Sequence, residues 1–284
     1  MRRVGAHLSI SGGLYKAVES IVSKGGNCLQ IFSSSPRMWM SNLPSTEDVE
    51  KFVKQASEND VSPTFIHAKY LVNMASDNKE LVDKSRKSLE FDFKVAEMIG
   101  AVGVIVHLGS HQGRGFEAVK DQLVEEIKKI LKASPGSVKF LIENAAQKKG
   151  KIGFRLEEIS LLLKAVDSSR VGWCLDTCHA YNAGYSLGKD LGNTLLGFDI
   201  VSEVKKLKLV ESLKCLHVND SRDLFDSGRD RHANLGEGEI DLKDLKAFLN
   251  EPIFKSLPLI IETPGFDKLG PDKKNLDILK SLIK

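Results

Sequence analysis

A repeated alternation of two kinds of segment constrains this 284-residue chain more than any other feature. Short apolar runs rich in β-branched residues predict buried strands, and the longer segments between them have the apolar spacing of amphipathic helices. The runs predict eight strands, at Val4–Leu8, Cys28–Phe32, Thr64–His67, Val104–Leu108, Lys139–Glu143, Val171–Asp176, Lys214–Val218 and Pro258–Glu262. Helices are predicted between them, among others at Thr46–Asn59, Asn78–Ile99, Phe116–Ala133, Leu156–Val166 and Leu242–Leu249.

This alternation favours one fold class. Strands that are apolar along their whole length and alternate with helices form a parallel sheet covered by those helices. Eight units of about 35 residues predict an α/β fold, a single (β/α)8 TIM barrel over residues 1–284, with an open doubly wound sheet as the alternative. In such a barrel the loops after the strands converge, so we expect the active site at the C-terminal ends of the strands.

The composition excludes several protein classes. The apolar runs are far shorter than the roughly 20 residues that span a membrane, and the N-terminus lacks the apolar region of a secretion signal, so we expect a cytoplasmic protein. Four cysteines in or beside apolar runs are interpreted as reduced core residues; Cys174 and Cys178 would make half of a metal site but lack a second pair. The net charge of +3 permits binding to a polyanion without requiring it, and charge and length together suggest a monomer.

Residue types that bind metal ions end six consecutive predicted strands. These residues are His67, His107, Glu143, Asp176, His217 and Glu262. Two neighbouring segments add three more candidates. His179 follows Asp176 by three residues, and Asp230 and His232 share one side of an extended segment because they are two residues apart.

Each of these residues also has a purely structural interpretation. A histidine at a strand end commonly only hydrogen-bonds its neighbours, and a buried carboxylate can accept backbone N–H groups or pair with an arginine. Four carboxylates crowded on one rim, however, would repel one another unless cations neutralised them. Mixed imidazole and carboxylate ligands favour zinc over manganese or iron, and nine ligands fit three zinc ions if one carboxylate bridges two of them. His7 and His111 are interpreted as structural residues or as supports of the ligands.

Three segments are highly specific when they occur together in this order: Asp176-Thr-Cys-His179, His217-Val-Asn-Asp220 and Asp230-Arg-His232. With the other strand-end residues they resemble the endonuclease IV family (AP endonuclease family 2) of DNA repair enzymes, from about residue 4 to residue 264. The resemblance implies a zinc-dependent hydrolase that cleaves double-stranded DNA on the 5′ side of an abasic site and removes 3′ blocking groups. No organic cofactor is implied.

The resemblance also implies how the ligands are shared among three zinc ions. The expected sets are His67, His107 and Glu143 for the first ion, Glu143 as a bridge with Asp176, His217 and Glu262 for the second, and His179, Asp230 and His232 for the third. Glu143 and Glu262 are the expected catalytic carboxylates, since Glu143 would position two ions and Glu262 would orient or deprotonate the attacking water.

Contacts with DNA are expected from the same rim. Arg37, Tyr70 and Leu71 occupy loops with which the family enters the duplex beside a flipped-out nucleotide, although Tyr70 and Leu71 could instead pack under their loop. Further positive residues in predicted loops are either phosphate contacts or ordinary solvated charges: Lys69, Arg114, Lys148, Lys149, Lys151, Arg222, Arg229 and Arg231. The chain departs from the family pattern, without touching a predicted ligand, at Met38, Leu108 and the 144–151 loop.

Two other functions remain open at this stage. A sugar isomerase or epimerase of the same barrel type also places His, Asp and Glu on divalent ions, but it needs neither Asp230 and His232 nor a probing Tyr70. A catalytically silent protein that only recognises damaged DNA has no reason to keep nine ligands.

Overall fold

The structure is a computed structural model that describes residues 2–39, 42–134, 136–146, 150–188 and 198–283. Lys148 and Lys149, two of the predicted phosphate contacts, lie outside the described residues.

Eight parallel strands close into a barrel in the described residues. They are β1 (Val4–Leu8), β2 (Cys28–Phe32), β3 (Thr64–His67), β4 (Gly103–Val106), β5 (Lys139–Glu143), β6 (Val171–Asp176), β9 (Leu213–His217) and β12 (Leu259–Ile261). Two small pairs lie outside the barrel, namely β7 (Tyr185–Ser186) with β8 (Phe198–Asp199) and β10 (Asp220–Ser221) with β11 (His232–Ala233). Each barrel strand pairs with its two neighbours, β12 returning to β1. The predicted barrel is therefore confirmed, and the open sheet is wrong.

Helices cover the barrel, as predicted. They are α1 (Leu14–Ser23), α2 (Thr46–Glu58), α3 (Lys79–Ile99), α4 (Lys120–Ala133), α5 (Leu156–Val166), α6 (Thr177–Asn182), α7 (Ile200–Lys206), α8 (Leu242–Leu249) and α9 (Lys273–Leu282), with a short 3-10 helix at Pro252–Phe254. Local capping explains several of the bounds. The Asn78 side chain accepts the N–H groups of Glu80 and Leu81 at the start of α3, and Gly100 ends that helix with φ 70°. No helix in the described ranges has the length and apolar character that a membrane span requires.

A few predicted bounds are wrong, each for a local reason. The fourth strand ends at Val106 rather than Leu108, because the Leu108 carbonyl accepts the N–H of Met74 in the loop after β3. The eighth ends at Ile261 rather than Glu262, whose N–H donates to the Asn219 side chain. The helix expected from Phe116 begins at Lys120, since residues 116–119 first form a turn.

A small buried cluster lies apart from the larger core. It consists of Cys28, Phe65, Ile105, Leu141, Cys174, Cys215 and Ile260. These residues belong to seven of the eight barrel strands, and the remaining strand contributes Gly5. A side chain at Gly5 has no room, since a Cβ there would lie 1.9 Å from the Cys28 carbonyl oxygen. All four cysteines are buried and free.

Candidate metal centre

The predicted ligands gather at the C-terminal rim of the barrel. Four of them are the last residues of their strands, namely His67, Glu143, Asp176 and His217. The other two, His107 and Glu262, come directly after the last residues of β4 and β12. They meet because parallel strands of a closed barrel all end on the same side. Strand direction thus brings together side chains that are far apart in the sequence.

Glu143 lies at the centre of this group. Its Oε2 is 3.2 Å from Nε2 of His67 and 3.2 Å from Nε2 of His107. Its Oε1 is 3.0 Å from Nδ1 of His217 and 3.4 Å from Nδ1 of His179. Burial alone would raise the pKa of this carboxyl, but the surrounding imidazoles hold it well below its usual range. The two oxygens therefore face two different sets of imidazoles, as a bridging carboxylate must.

The donor atoms form three overlapping groups. Within each group they lie within 4.8 Å of one another: His67, His107 and Glu143; Glu143, Asp176, His217 and Glu262; and Asp176, His179 and His232. Neighbouring ligands of a tetrahedral zinc with bonds of 2.0–2.1 Å are about 3.3 Å apart. The distances around Glu143 match that spacing, so the donors fit zinc in number and in separation.

Asp230 lies beside the third group. Its Oδ1 is 3.0 Å from Nε2 of His179 and 3.6 Å from Nε2 of His232, while Asp176 Oδ2 is 3.7 Å from the same His232 nitrogen. Neither Nε2 makes a hydrogen bond within the described part of the chain, although both atoms are buried. Two buried imidazole nitrogens that make no hydrogen bond and face the same carboxylate are the arrangement expected of a cation site.

Local structure explains the position of His179. Asp176 is the N-cap of α6, and its Oδ1 accepts the His179 N–H at 2.7 Å. His179 Nδ1 lies 3.0 Å from the Asn144 carbonyl, which leaves Nε2 free to face Asp230. The three-residue spacing is thus one helical turn that returns an imidazole to the rim.

A further combination of donor residues is less suited to binding a metal ion. Cys174, Cys215 and His217 also lie within 4.8 Å of one another. Burial raises the pKa of the Cys174 thiol well above its usual value, which disfavours the thiolate that binds metals. Cys178, the predicted partner of Cys174 in a half-site, belongs to none of the donor groups in the described residues.

Two supporting residues escaped sequence reasoning. Gln30 donates from Nε2 to Glu262 Oε1 at 2.5 Å, and its Oε1 is 2.7 Å from Nε2 of His217. Asn219 donates to Asp176 Oδ2 at 2.6 Å and accepts the Glu262 N–H at 2.7 Å. The available signal was a polar residue inside the apolar run Cys28–Phe32, and an Asn two residues beyond a predicted ligand. Such contacts orient ligands and select the histidine tautomer.

The two remaining histidines differ in role. His7 Nδ1 is 2.9 Å from Glu262 Oε1, so His7 supports a ligand. His111 Nδ1 accepts the N–H groups of Gly113 and Gly115 and shapes its loop.

The predicted DNA contacts lie on loops around the centre. Arg37 is exposed after β2, Tyr70 is 71% exposed after β3, and Leu71 is half-buried. Tyr70 therefore does not pack under its loop. A cavity of about 680 Å³ opens beside Tyr70 and extends to His7 and Glu262.

Some predicted phosphate contacts are wrong or weakened. Lys69 is 3% exposed, because its stem lies under the loop with Nζ 5.0 Å from the centre of the Phe91 ring. Arg229 and Arg231 both pair with Asp223. Their charges are therefore partly compensated.

Comparison with known proteins identifies the family of this chain. The family model described as a xylose isomerase-like TIM barrel, that of AP endonuclease family 2, matches residues 18–282. The probable endonuclease 4 of Halothermothrix orenii is 36% identical over 279 residues, covering 98% of this chain and 99% of that protein. The chain belongs to the endonuclease IV family. The crystal structure of endonuclease IV from Thermus thermophilus has 34% identity and a TM-score of 0.85, covering 99% of this chain and 98% of that chain.

The barrel itself is shared more widely than this family. A D-tagatose 3-epimerase-like protein superimposes with a TM-score of 0.75 at 19% identity, over 99% of this chain and 97% of that chain. At that identity the likeness concerns the fold alone. The functional argument therefore depends on the endonuclease IV family and on the donor groups, and not on the barrel.

Proposed function

We propose that this chain is a zinc-dependent apurinic/apyrimidinic endonuclease of base excision repair. It hydrolyses the DNA phosphodiester 5′ to an abasic site and removes 3′ blocking groups. Its family membership carries the coarser statement, that the chain is a DNA-cleaving hydrolase with a metal-dependent site. The observation that carries the finer proposal is Glu143, whose two oxygens each meet two imidazoles from different segments of the rim.

Three zinc ions would be held as the donor groups suggest. His67 and His107 would hold the first, Asp176, His217 and Glu262 the second, and His179, Asp230 and His232 the third, with Glu143 shared between the first two. The Nε2 atoms of His179 and His232 support the third site, because both face Asp230 and neither makes a hydrogen bond in the described residues. Bound zinc would supply a water of lowered pKa and positive charge beside the phosphate.

The chain's own residues would orient the reaction. Glu262 borders the 680 Å³ cavity, and its Oε1 is held by His7 and Gln30. This fixed carboxylate can orient the attacking water or accept its proton, because it is the ligand that faces the cavity. Glu143 is fully buried and would act only by positioning ions.

Duplex DNA would lie across the loops that carry Arg37 and Tyr70. The exposed Tyr70 ring stands at the cavity entrance, 5.3 Å from the centre of the Phe32 ring, and offers a flat surface for an unstacked base. Leu71 beside it would fill part of the gap left by a displaced nucleotide. We further propose that residues 1–284 form one catalytic domain and act as a monomer.

One experiment tests this function against the sugar epimerase and the silent DNA binder. Zinc-loaded protein is mixed with a duplex carrying a single tetrahydrofuran abasic analogue, without added magnesium, and the cleaved bond is mapped. We expect incision on the 5′ side, about three zinc ions per chain, and no incision of the undamaged duplex. A Glu262→Gln variant is the matched control for catalysis.

Two results would separate the alternatives. Binding without incision in wild-type protein would favour the silent binder. An intact duplex together with epimerisation of a ketose would favour the sugar enzyme. A duplex ending in a 3′-phosphoglycolate tests the second activity, and an unprocessed end would remove that part of the proposal.

A further inference from the structure

Beneath the rim, three buried polar side chains connect segments that the catalytic proposal does not use. Ser33, Lys69 and Asp92 are 5%, 3% and 0% exposed. Ser33 begins the 33–39 loop that carries Arg37, and Lys69 lies in the 68–73 loop, between the ligand His67 and Tyr70. Asp92 belongs to neither loop, since it lies in the middle of α3.

Helix α3 contacts both loops, at the neighbouring residues Phe91 and Asp92. The Ser33 hydroxyl donates to Oδ1 of Asp92 at 2.5 Å. The Lys69 Nζ lies 5.0 Å from the centre of the ring of Phe91, the residue before Asp92 on α3. Both charged groups are buried, and a buried charge is unfavourable unless an opposite charge lies near it.

The Lys69 charge lies against the Phe91 ring in the described residues. Its Nζ and Asp92 Oδ2 both lack hydrogen bonds there, which is unusual for buried charged atoms. Burying an ammonium group and a carboxylate on adjoining segments carries a desolvation cost. Such a pair is better explained by the geometry it imposes than by stability.

The helix is a suitable anchor for this geometry. Leu89, Phe93, Val95 and Ala96 of α3 are fully buried on either side of Asp92. Ser85, on the same helix, accepts the N–H of Asn73 at the far end of the 68–73 loop. Both ends of the 68–73 loop and the start of the 33–39 loop are therefore in contact with one rigid element, helix α3.

We infer that Lys69 and Asp92, together with Ser33, are positioning residues that hold the 33–39 and 68–73 loops in a fixed relation to each other and to His67. They set where Arg37 and Tyr70 meet the DNA. This inference rests on the proposed function for its consequence, but the connection between the loops can be measured without DNA.

The test compares Lys69→Met, Asp92→Asn and the double variant with wild type. Each single change leaves one buried charge alone, so the melting temperature should fall, and it should recover in the double variant. The loops contact DNA away from the reacting bond, so KM for the abasic duplex should rise about tenfold in all three, with kcat within about twofold of wild type. Zinc content should not change.

The double variant separates positioning from stability. A purely structural pair would let KM return to the wild-type value together with the melting temperature, and that result would overturn the inference. Lys94→Met and Glu97→Gln remove exposed charges from the same helix and should leave KM unchanged.

Amide hydrogen exchange measures the connection itself. We expect faster exchange in both loops in the three variants and wild-type exchange in the two controls; unchanged exchange in both loops would refute the inference. If a charge variant does not fold, Ser33→Ala takes its place in the measurement. Ser33→Ala should give faster exchange in the 33–39 loop alone. If wild-type protein does not incise abasic DNA, the proposed function fails while the exchange data still decide the connection.

Discussion

Replacement of Glu143 by Gln tests the centre most directly, because the two side chains have the same shape. The carboxylate presents one oxygen to His67 and His107 and the other to His217 and His179. The amide offers only one acceptor oxygen, and its NH2 group cannot bind a cation. In either orientation of the amide, one of the two ions loses a ligand.

The magnitude follows from the donor count. If the first group loses Glu143, two imidazoles remain, fewer than the three protein ligands typical of a catalytic zinc site. We therefore expect at most two zinc ions per chain. One ion contributes several kcal/mol to stabilising the transition state, so incision should fall about 1000-fold or more.

The measurement pairs metal analysis after gel filtration with single-turnover incision of the abasic duplex. Glu126→Gln is the matched control, since Glu126 is a buried carboxylate on α4 that pairs with Arg86 and Lys129 far from the rim. That variant should keep its zinc and its incision rate. A Glu143→Gln protein with full zinc content, or with a rate within about tenfold of wild type, would refute the bridging role.

Three further outcomes are expected. His232→Ala should remove one zinc and lower incision without unfolding the barrel, since His232 lies in the small β10–β11 pair; unchanged zinc stoichiometry would eliminate the third site. Tyr70→Ala should weaken binding of the abasic duplex about tenfold, because stacking on a base contributes about 1–3 kcal/mol. Equal affinities by fluorescence anisotropy would contradict that role. Burial lowers the pKa of His217, but Glu262 and Glu143 outweigh it and raise this pKa to about 10 in the metal-free protein. Zinc must therefore displace a proton, and its affinity should rise between about pH 6 and pH 9; calorimetry that finds no proton release would contradict this.

Much of the fold could be predicted from local pattern. The bounds of β1, β2, β3, β5 and β6 agree with prediction, because buried parallel strands are apolar throughout and their loops are not. The starts and ends that differ are decided by contacts made elsewhere. The Leu108 carbonyl, for example, pairs with Met74.

The surroundings of the site could not be read in the same way. Gln30 and Asn219 contact ligands far along the chain, and periodicity carries no information about such pairs. Lys69 is the clearest case. A lysine in a polar loop predicts solvent exposure, but tertiary packing directs its stem inward, and its Nζ lies over the Phe91 ring.

The sequence by itself determined which donors end the strands and therefore that they share one rim, because strand direction in a parallel barrel is uniform. Only the tertiary structure decided how they are grouped. Glu143 is 76 residues from His67 and 74 from His217. Which oxygen faces which imidazole depends on barrel closure and on side-chain rotamers, and a one-dimensional pattern contains neither.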